Sequence, residues 1–295
     1  MKICISFFLL FTSCFITAQK TERISLRNYR VNYLSDTLRE TSGISFFGKK
    51  FITHNDGGNP ATVYHIDSKS GKIVNSLKTN LINTDWEAIT TDSSYIYLGD
   101  FGNNSNTRKD LTIYKTKIEN DSNLSLVSKI DFEYKEQTDF TPKNIRHNFD
   151  AEAMFYRNNK IHLFTKEWKN KATSHYIIDP NSSEKQIISK TESFPTQFLV
   201  TDAAYYNQKL YLIGYTKKGR CFLLIFNSPN NDILFSNDYK KYKLGSTLSI
   251  GQIEGIAVNQ DGIYISGERF FKLLSRAQPS LYFIPFKAIK NTGTF

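Results

Sequence analysis

Beyond residue 20 the chain is written in short apolar runs rich in Ile, Leu, Tyr and Phe, separated by clusters of Asn, Asp, Gly, Ser and Lys. Runs of that length, bounded by turn-forming residues, predict strands and tight connections rather than helices. Aromatics make up 14% of the chain, which suits pleated, half-buried surfaces. No segment carries the sustained 3.6-residue periodicity of a long helix.

One local pattern recurs: a polar or acidic residue, any residue, often Glu, a small residue, then a larger apolar one. It reads Glu40-Thr41-Ser42-Gly43-Ile44, Asp85-Trp86-Glu87-Ala88-Ile89 and Asp150-Ala151-Glu152-Ala153-Met154. Weaker copies are Thr201-Asp202-Ala203-Ala204-Tyr205 and Gln252-Ile253-Glu254-Gly255-Ile256, and the closing residues are spaced by 45, 65, 51 and 51 positions. A second apolar run follows each copy and ends in a polar residue, at Asp56, Asp100, Lys166, Tyr215 and Glu268. Third strands are expected over 62–66, 111–115, 174–178, 222–226 and 281–285, and fourth strands over 72–77, 126–132, 185–190 and 232–237.

A lone four-stranded sheet leaves two apolar faces uncovered, so such repeats bury them against each other. Repeats of about 40 to 50 residues with four strands predict β-propeller blades. The reading is therefore all-β: a single domain over residues 19–295, a five-bladed propeller of four-stranded blades. The fifth unit lacks a fourth strand, and residues 23–31 are expected to supply it beside 281–285, closing the ring and removing exposed edges. The long spacing before Met154 leaves six blades as an alternative; a polar insertion over 136–148, with Pro142, accounts for it more economically.

In such a ring the start of each first strand and the end of each second strand reach the same face. The acids of both elements should then converge at one mouth of the channel, while Gly43, Ala88, Ala153, Ala204 and Gly255 point the other way, where blades crowd together. Asp and Glu are depleted in strands, and buried charges must be paired or bound to metal. The candidate catalytic acids are Glu87 and Glu152. The candidate metal ligands are Glu40, Asp85, Asp100 and Asp150. Further binding candidates at the mouth are His54, Asn55, Asp56, Lys166, Asp202, Tyr215, Glu254 and Glu268. Oxygen donors without Cys and with few His suit calcium or magnesium rather than zinc. The glycine-bearing loops His54–Asn59 and Gly99–Asn104 combine oxygen donors with tight turns, but neither has the twelve-residue EF-hand spacing.

The net charge of +10 comes from scattered lysines, not from a block that would track a phosphate backbone, so nucleic acid is not expected as a partner. Lys2, an apolar run from Ile3 to Ile16 and the small residues Thr17-Ala18 form a secretory signal peptide over residues 1–18. Phe11-Thr12-Ser13-Cys14 is a loose lipobox, so a lipid anchor on Cys14 is the alternative to cleavage near Ala18. Either way the protein is exported, to the periplasm or beyond, with no transmembrane span. Removal of the signal leaves Cys221, expected as a buried thiol in a strand. Arg108, His147 and His175 read as surface residues, and Trp86 as packing between blades. The protein is expected to act as a monomer.

The motif set of residues 40–44, 54–58, 85–87 and 99–104, with Asp150-Ala151-Glu152-Ala153, Thr165-Lys166 and Gly267-Glu268, resembles a group of exported bacterial propellers without a settled reaction. That group is distantly similar to the gluconolactonase/regucalcin and esterase-like phytase types, and the resemblance implies calcium and export. Three functions are open at this stage. One is a calcium-dependent hydrolase of an ester, lactone, phosphoester or glycoside. Another is a non-catalytic module that binds a glycan, a small molecule or a protein partner at the mouth, with Lys166, Trp168 and Tyr215 as recognition residues. The third is a structural role in the envelope, in which the acids serve only blade closure.

Overall fold

The computed structural model describes residues 21–228, 232–272 and 275–290. The signal segment with Cys4 and Cys14 lies outside them. The regular structure of the described residues is nearly all strand. Blade 1 is Thr41–Phe47, Lys50–Asn55, Thr62–Ile66 and Ile73–Lys78, each antiparallel to the next. Blade 2 is Trp86–Thr91, Ile96–Asp100, Thr112–Asn120 and Asn123–Tyr134. Blade 3 is Ala151–Arg157, Lys160–Thr165, Thr173–Ile178 and Glu192–Phe194. Blade 4 is Leu199–Tyr206, Lys209–Tyr215, Arg220–Asn227 and Tyr239–Ser246. Blade 5 is Gln252–Val258, Gly262–Glu268 and Ser280–Pro285, completed by Arg30–Tyr33.

The inner strands contact one another in a closed ring, blade 1 to 2 to 3 to 4 to 5 and back to 1. All five line one narrow channel through residues 44–46, 89–91, 154–156, 203–205 and 256–258. The apolar core falls into five clusters, each between two neighbouring blades. This is the propeller expected from the repeat: each sheet is too thin to own a core and buries both faces against its neighbours. The small residues fall where inner strands meet. A Cβ on Gly43 would lie 2.9 Å from the Ile89 nitrogen, and one on Gly255 would lie 3.1 Å from the Ile44 nitrogen.

The closing strand comes from the N-terminal segment, but not as one strand over 23–31. Thr21–Arg23 runs parallel to the outer strand of blade 4. A 3-10 turn over Leu26–Tyr29 then carries the chain to Arg30–Tyr33, which pairs with blade 5. Ile24 and the fully buried Leu26 plug the core between these two blades, so the segment staples both.

Two fourth strands also differ. Gln186–Ile188 pairs in parallel with blade 2 rather than completing blade 3, and Glu192–Phe194 takes that place. In blade 4 the outer strand is Tyr239–Ser246, not 232–237. The apolar Leu234 and Phe235 instead pack between blades 3 and 4, with both backbone N–H groups donating to Glu192. The 136–148 segment forms no strand; it docks on the loop after blade 2's second strand, where Lys143 and Ile145 donate to the Ser105 and Asn104 carbonyls.

Candidate metal and substrate site at the channel mouth

Every inner strand breaks register at the same point of its pairing. The unpaired residues are Gly43, Glu87, Glu152, Thr201 and Glu254. A bulge frees a residue from the ladder and re-aims its side chain. Here it sends three glutamates into the axis from blades 2, 3 and 5. The pairing also corrects the alignment of blade 4: Thr201 is the counterpart of Glu254, and Asp202 occupies the position of the small residue that follows.

One carboxylate oxygen from each of Asp56, Asp85 and Glu87 lies within 4.8 Å of the others, an arrangement that could hold a metal ion. Asp56 directly follows the second strand of blade 1, where its N–H bonds the Glu40 carbonyl. Asn83 clasps the same loop, its amide donating to the Asn55 and Asp56 carbonyls. Two glycines make room for the acids. A Cβ on Gly57 would lie 2.7 Å from Asp85 Oδ1, and one on Gly102 would lie 2.3 Å from Asp85 Oδ2 and 2.5 Å from Glu87 Oε1. Among the described residues no hydrogen bond reaches the Asp85 or Glu87 carboxylate. At an effective dielectric of about 20, two unit charges at that separation repel by roughly 3.5 kcal/mol.

Lys166 occupies the centre of the mouth. Its Nζ lies 2.9 Å from Glu152 Oε2, both side chains being buried. Glu152 Oε1 is buried without a partner. On the opposite side Tyr215 Oη donates to Glu254 Oε1 at 3.2 Å, and Gln252 Nε2 reaches both Glu254 (3.4 Å) and Glu268 (2.5 Å).

The electrostatics are uniform in sign. Burial, with Asp56 and Asp150 nearby, pushes Asp85 up to about 7. Burial raises Glu254 to about 7 despite Lys166. Glu87, Glu152 and Glu268 are held well above the usual carboxylate range by burial first; Glu152 and Asp56 add to this at Glu87, Glu254 and Asp56 at Glu268, and at Glu152 the push of Asp150 and Glu254 is opposed by Lys166. Asp56 is raised by burial as well. Burial opposes the charge of Lys166, yet Glu152, Tyr215, Glu254 and Glu87 hold its pKa well above the ordinary lysine value. Six carboxylates thus share the ammonium of Lys166, which is itself paired with Glu152, a set that calls for protons or a cation.

The other candidates sit apart from this set. Asp100 accepts from the Thr84 and Asp85 N–H groups and pairs with Arg108 at 2.9 Å. Asp150 accepts from the Asn103 N–H at 2.6 Å and from Trp168 Nε1 at 2.7 Å. Asp202 accepts from Ala203 and Ile256 N–H, tying blade 4 to blade 5. Glu40 lies at the exposed edge and accepts from the Asn59 amide. Asn55 donates to the Thr37 carbonyl, holding the N-terminal turn. His54 is fully buried edge-on to Trp86, and burial lowers its pKa to about 4.

Three polar residues read as surface are internal. Arg108 bonds the Asp100 and Gly102 carbonyls and so shapes the loop that carries Gly102. His147 is buried and accepts from the Phe149 N–H. His175 lies in a buried chain, 2.9 Å from His162 and 3.1 Å from Glu192. His147 reaches the Asn104 carbonyl and His175 reaches Glu192 from 43 and 17 residues away, and Arg108 bonds backbone carbonyls, so no side-chain spacing announced them. Asn83 carried no signal because the carbonyls its amide clasps belong to blade 1, and Gln252, which opens the blade 5 motif, shows its bond to Glu268 only in the fold. Cys221 is buried in its strand, as expected.

No family model matches the chain. Among solved structures, the PQQ-bound form of an aldose sugar dehydrogenase from Streptomyces coelicolor aligns over 86% of this chain and 96% of that one, with a TM-score of 0.50 and 9% identity. That likeness shows the fold alone. It supports a propeller and does not reach the gluconolactonase/regucalcin or phytase types. Fold and site together define an all-β propeller whose channel mouth gathers three carboxylates able to hold a metal ion. No helix among the described residues is long and apolar enough to cross a membrane.

Proposed function

We propose that the mouth binds calcium through Asp56, Asp85 and Glu87, and that the exported, monomeric protein uses it to hydrolyse an ester or glycosidic bond. The observation that carries this reading is the convergence of those three acids within 4.8 Å, with Asp56 accepting from the Gly57 N–H and, among the described residues, no hydrogen bond reaching the Asp85 or Glu87 carboxylate. Calcium takes six to eight oxygens, so three carboxylates leave positions for substrate and water. The bound ion would polarise the scissile group. Glu87 then acts as ligand, and Glu152 is left as the general base. Lys166 holds Glu152 Oε2 in place, and the unpartnered Oε1 is the oxygen that would take a proton from water. Burial supports this role by keeping the Glu152 carboxylate basic.

The test is a comparison of Glu152→Gln with Asp85→Asn in an activity screen over lactones, phosphoesters and aryl glycosides. The reading expects Glu152→Gln to bind calcium normally and lose turnover, and Asp85→Asn to lose both. A wild type inactive across the panel, with calcium bound, would leave the mouth as a binding site.

A further inference from the structure

The positive charge of the chain has a place in the fold. Beside the mouth, between blades 3, 4 and 5, lies a hollow of about 330 Å³ lined by Trp168, Tyr215, Lys217, Lys218, Gln252 and Phe270 among others. A second hollow of about 320 Å³ continues outward over blade 4, past Lys171, Arg220 and Lys241. The two share Leu199, Thr216, Lys217 and Lys218, so they form one groove running from the mouth to the rim. Among the described residues its walls carry five cations and no carboxylate. The acids are confined to the mouth at its inner end.

At the junction stands Trp168, half-buried. Its indole N–H is spent on Asp150 Oδ2 at 2.7 Å, which fixes the ring. The Lys166 and Lys217 ammonium groups lie 5.1 and 5.5 Å from its centroid. A fixed indole with two ammonium groups over its ring suits a sugar that bears an anion, the carboxylate drawing the exposed Lys217 to itself. The C–H face of the sugar packs on the indole and the carboxylate pairs with lysine.

We propose that this groove binds an acidic polysaccharide of the uronate type, with one end placed at the calcium site. The calcium end rests on the function proposed above; the groove rests on its own charge and shape. A uronate carboxylate and hydroxyls are hard oxygen donors that complete a coordination shell left open by three protein acids. Single-stranded nucleic acid fits less well, because base stacking needs successive open platforms. In the outer hollow Phe198 and Phe222 stack on each other 5.6 Å apart and lie under Lys241, and in the inner one Tyr215 is buried under Lys166, so Trp168 and Phe270 are left as separate aromatic surfaces.

The experiment is calorimetric titration of the full chain with oligogalacturonate, a neutral oligosaccharide and single-stranded DNA of matched charge, in calcium and in chelator. Oligogalacturonate is expected to bind in calcium, weaken with salt, and lose about tenfold in affinity in Lys217→Ala/Lys218→Ala. The neutral sugar should not bind. If chelation lowers oligogalacturonate affinity without abolishing it, both proposals stand. If chelation changes nothing while the lysine variant still loses affinity, the groove stands and the calcium reading falls. Failure of oligogalacturonate to bind while calcium does, binding that the lysine variant leaves unchanged, or equal affinity for DNA would overturn the groove proposal.

Discussion

A Cβ placed on Gly102 would stand 2.5 Å from Oε1 of Glu87. The backbone of Gly102 does not have a positive φ, so its need for glycine is one of space around the Asp85 and Glu87 carboxylates. Gly102→Ala should therefore abolish calcium binding and leave the melting temperature in chelator within a few degrees of wild type. Isothermal titration and paired melts check this; retained micromolar calcium binding would remove Gly102 from the site.

The Lys166–Glu152 pair is buried, so removing one partner strands the other charge. Lys166→Met should cost about 3 to 5 kcal/mol in urea unfolding. Adding Glu152→Gln to it should restore most of that loss, because the orphaned carboxylate disappears. A double variant as unstable as the sum of the singles would show that the two side chains do not act as a pair.

Stability of the calcium-free protein should rise as pH falls from about 8 to about 5. Asp85 and Glu254 have folded pKa values near 7 and unfolded values of 3.8 and 4.5. Across that window the folded state holds more protons, so the penalty of buried charge is relieved as pH falls through the folded values. His54 and His162 oppose this below their unfolded value of 6.5, since their folded values are about 4 and 3 and the unfolded chain takes the proton. The raised acids outnumber these histidines, so the net slope keeps its sign down to about pH 5. Saturating calcium should flatten it, because the ion replaces the protons. Melting temperatures across pH in chelator and in calcium test this, and a steady loss of stability from pH 8 downward in chelator would contradict it.

Arg108 and Asp100 act on the site through the backbone. Asp100 holds the Thr84 and Asp85 N–H groups, and Arg108 holds Asp100 and the Gly102 carbonyl. Asp100→Ala should weaken calcium binding at least tenfold and cost about 1 to 3 kcal/mol, the range for an unsatisfied buried group. Unchanged affinity would confine the pair to structure.

The repeated motif made the blades readable, because each inner strand must bury both faces and still present polar ends. Glu87, Glu152 and Glu254 were visible for the same reason: acids inside strands need an explanation. What the motif concealed is the bulge. Its effect on register shifts the blade 4 alignment by two residues, so Thr201 rather than Ala203 is the counterpart of Glu254. The fourth strands of blades 3 and 4 misled because Ile187 and Leu234 are apolar enough for strands, but one leans on blade 2 and the other plugs a gap between blades. Asp56, Asp85 and Glu87 could be named singly from sequence; their grouping depends on how closely blades 1 and 2 approach, and Gly57 and Gly102 set that.

The most direct test is calcium titration of the wild type beside Asp85→Asn/Glu87→Gln. The account predicts one strong site per chain in the wild type, a higher melting temperature in calcium than in chelator, and loss of both in the variant with the fold retained. A wild type that shows no calcium heat and melts identically in calcium and chelator would contradict it.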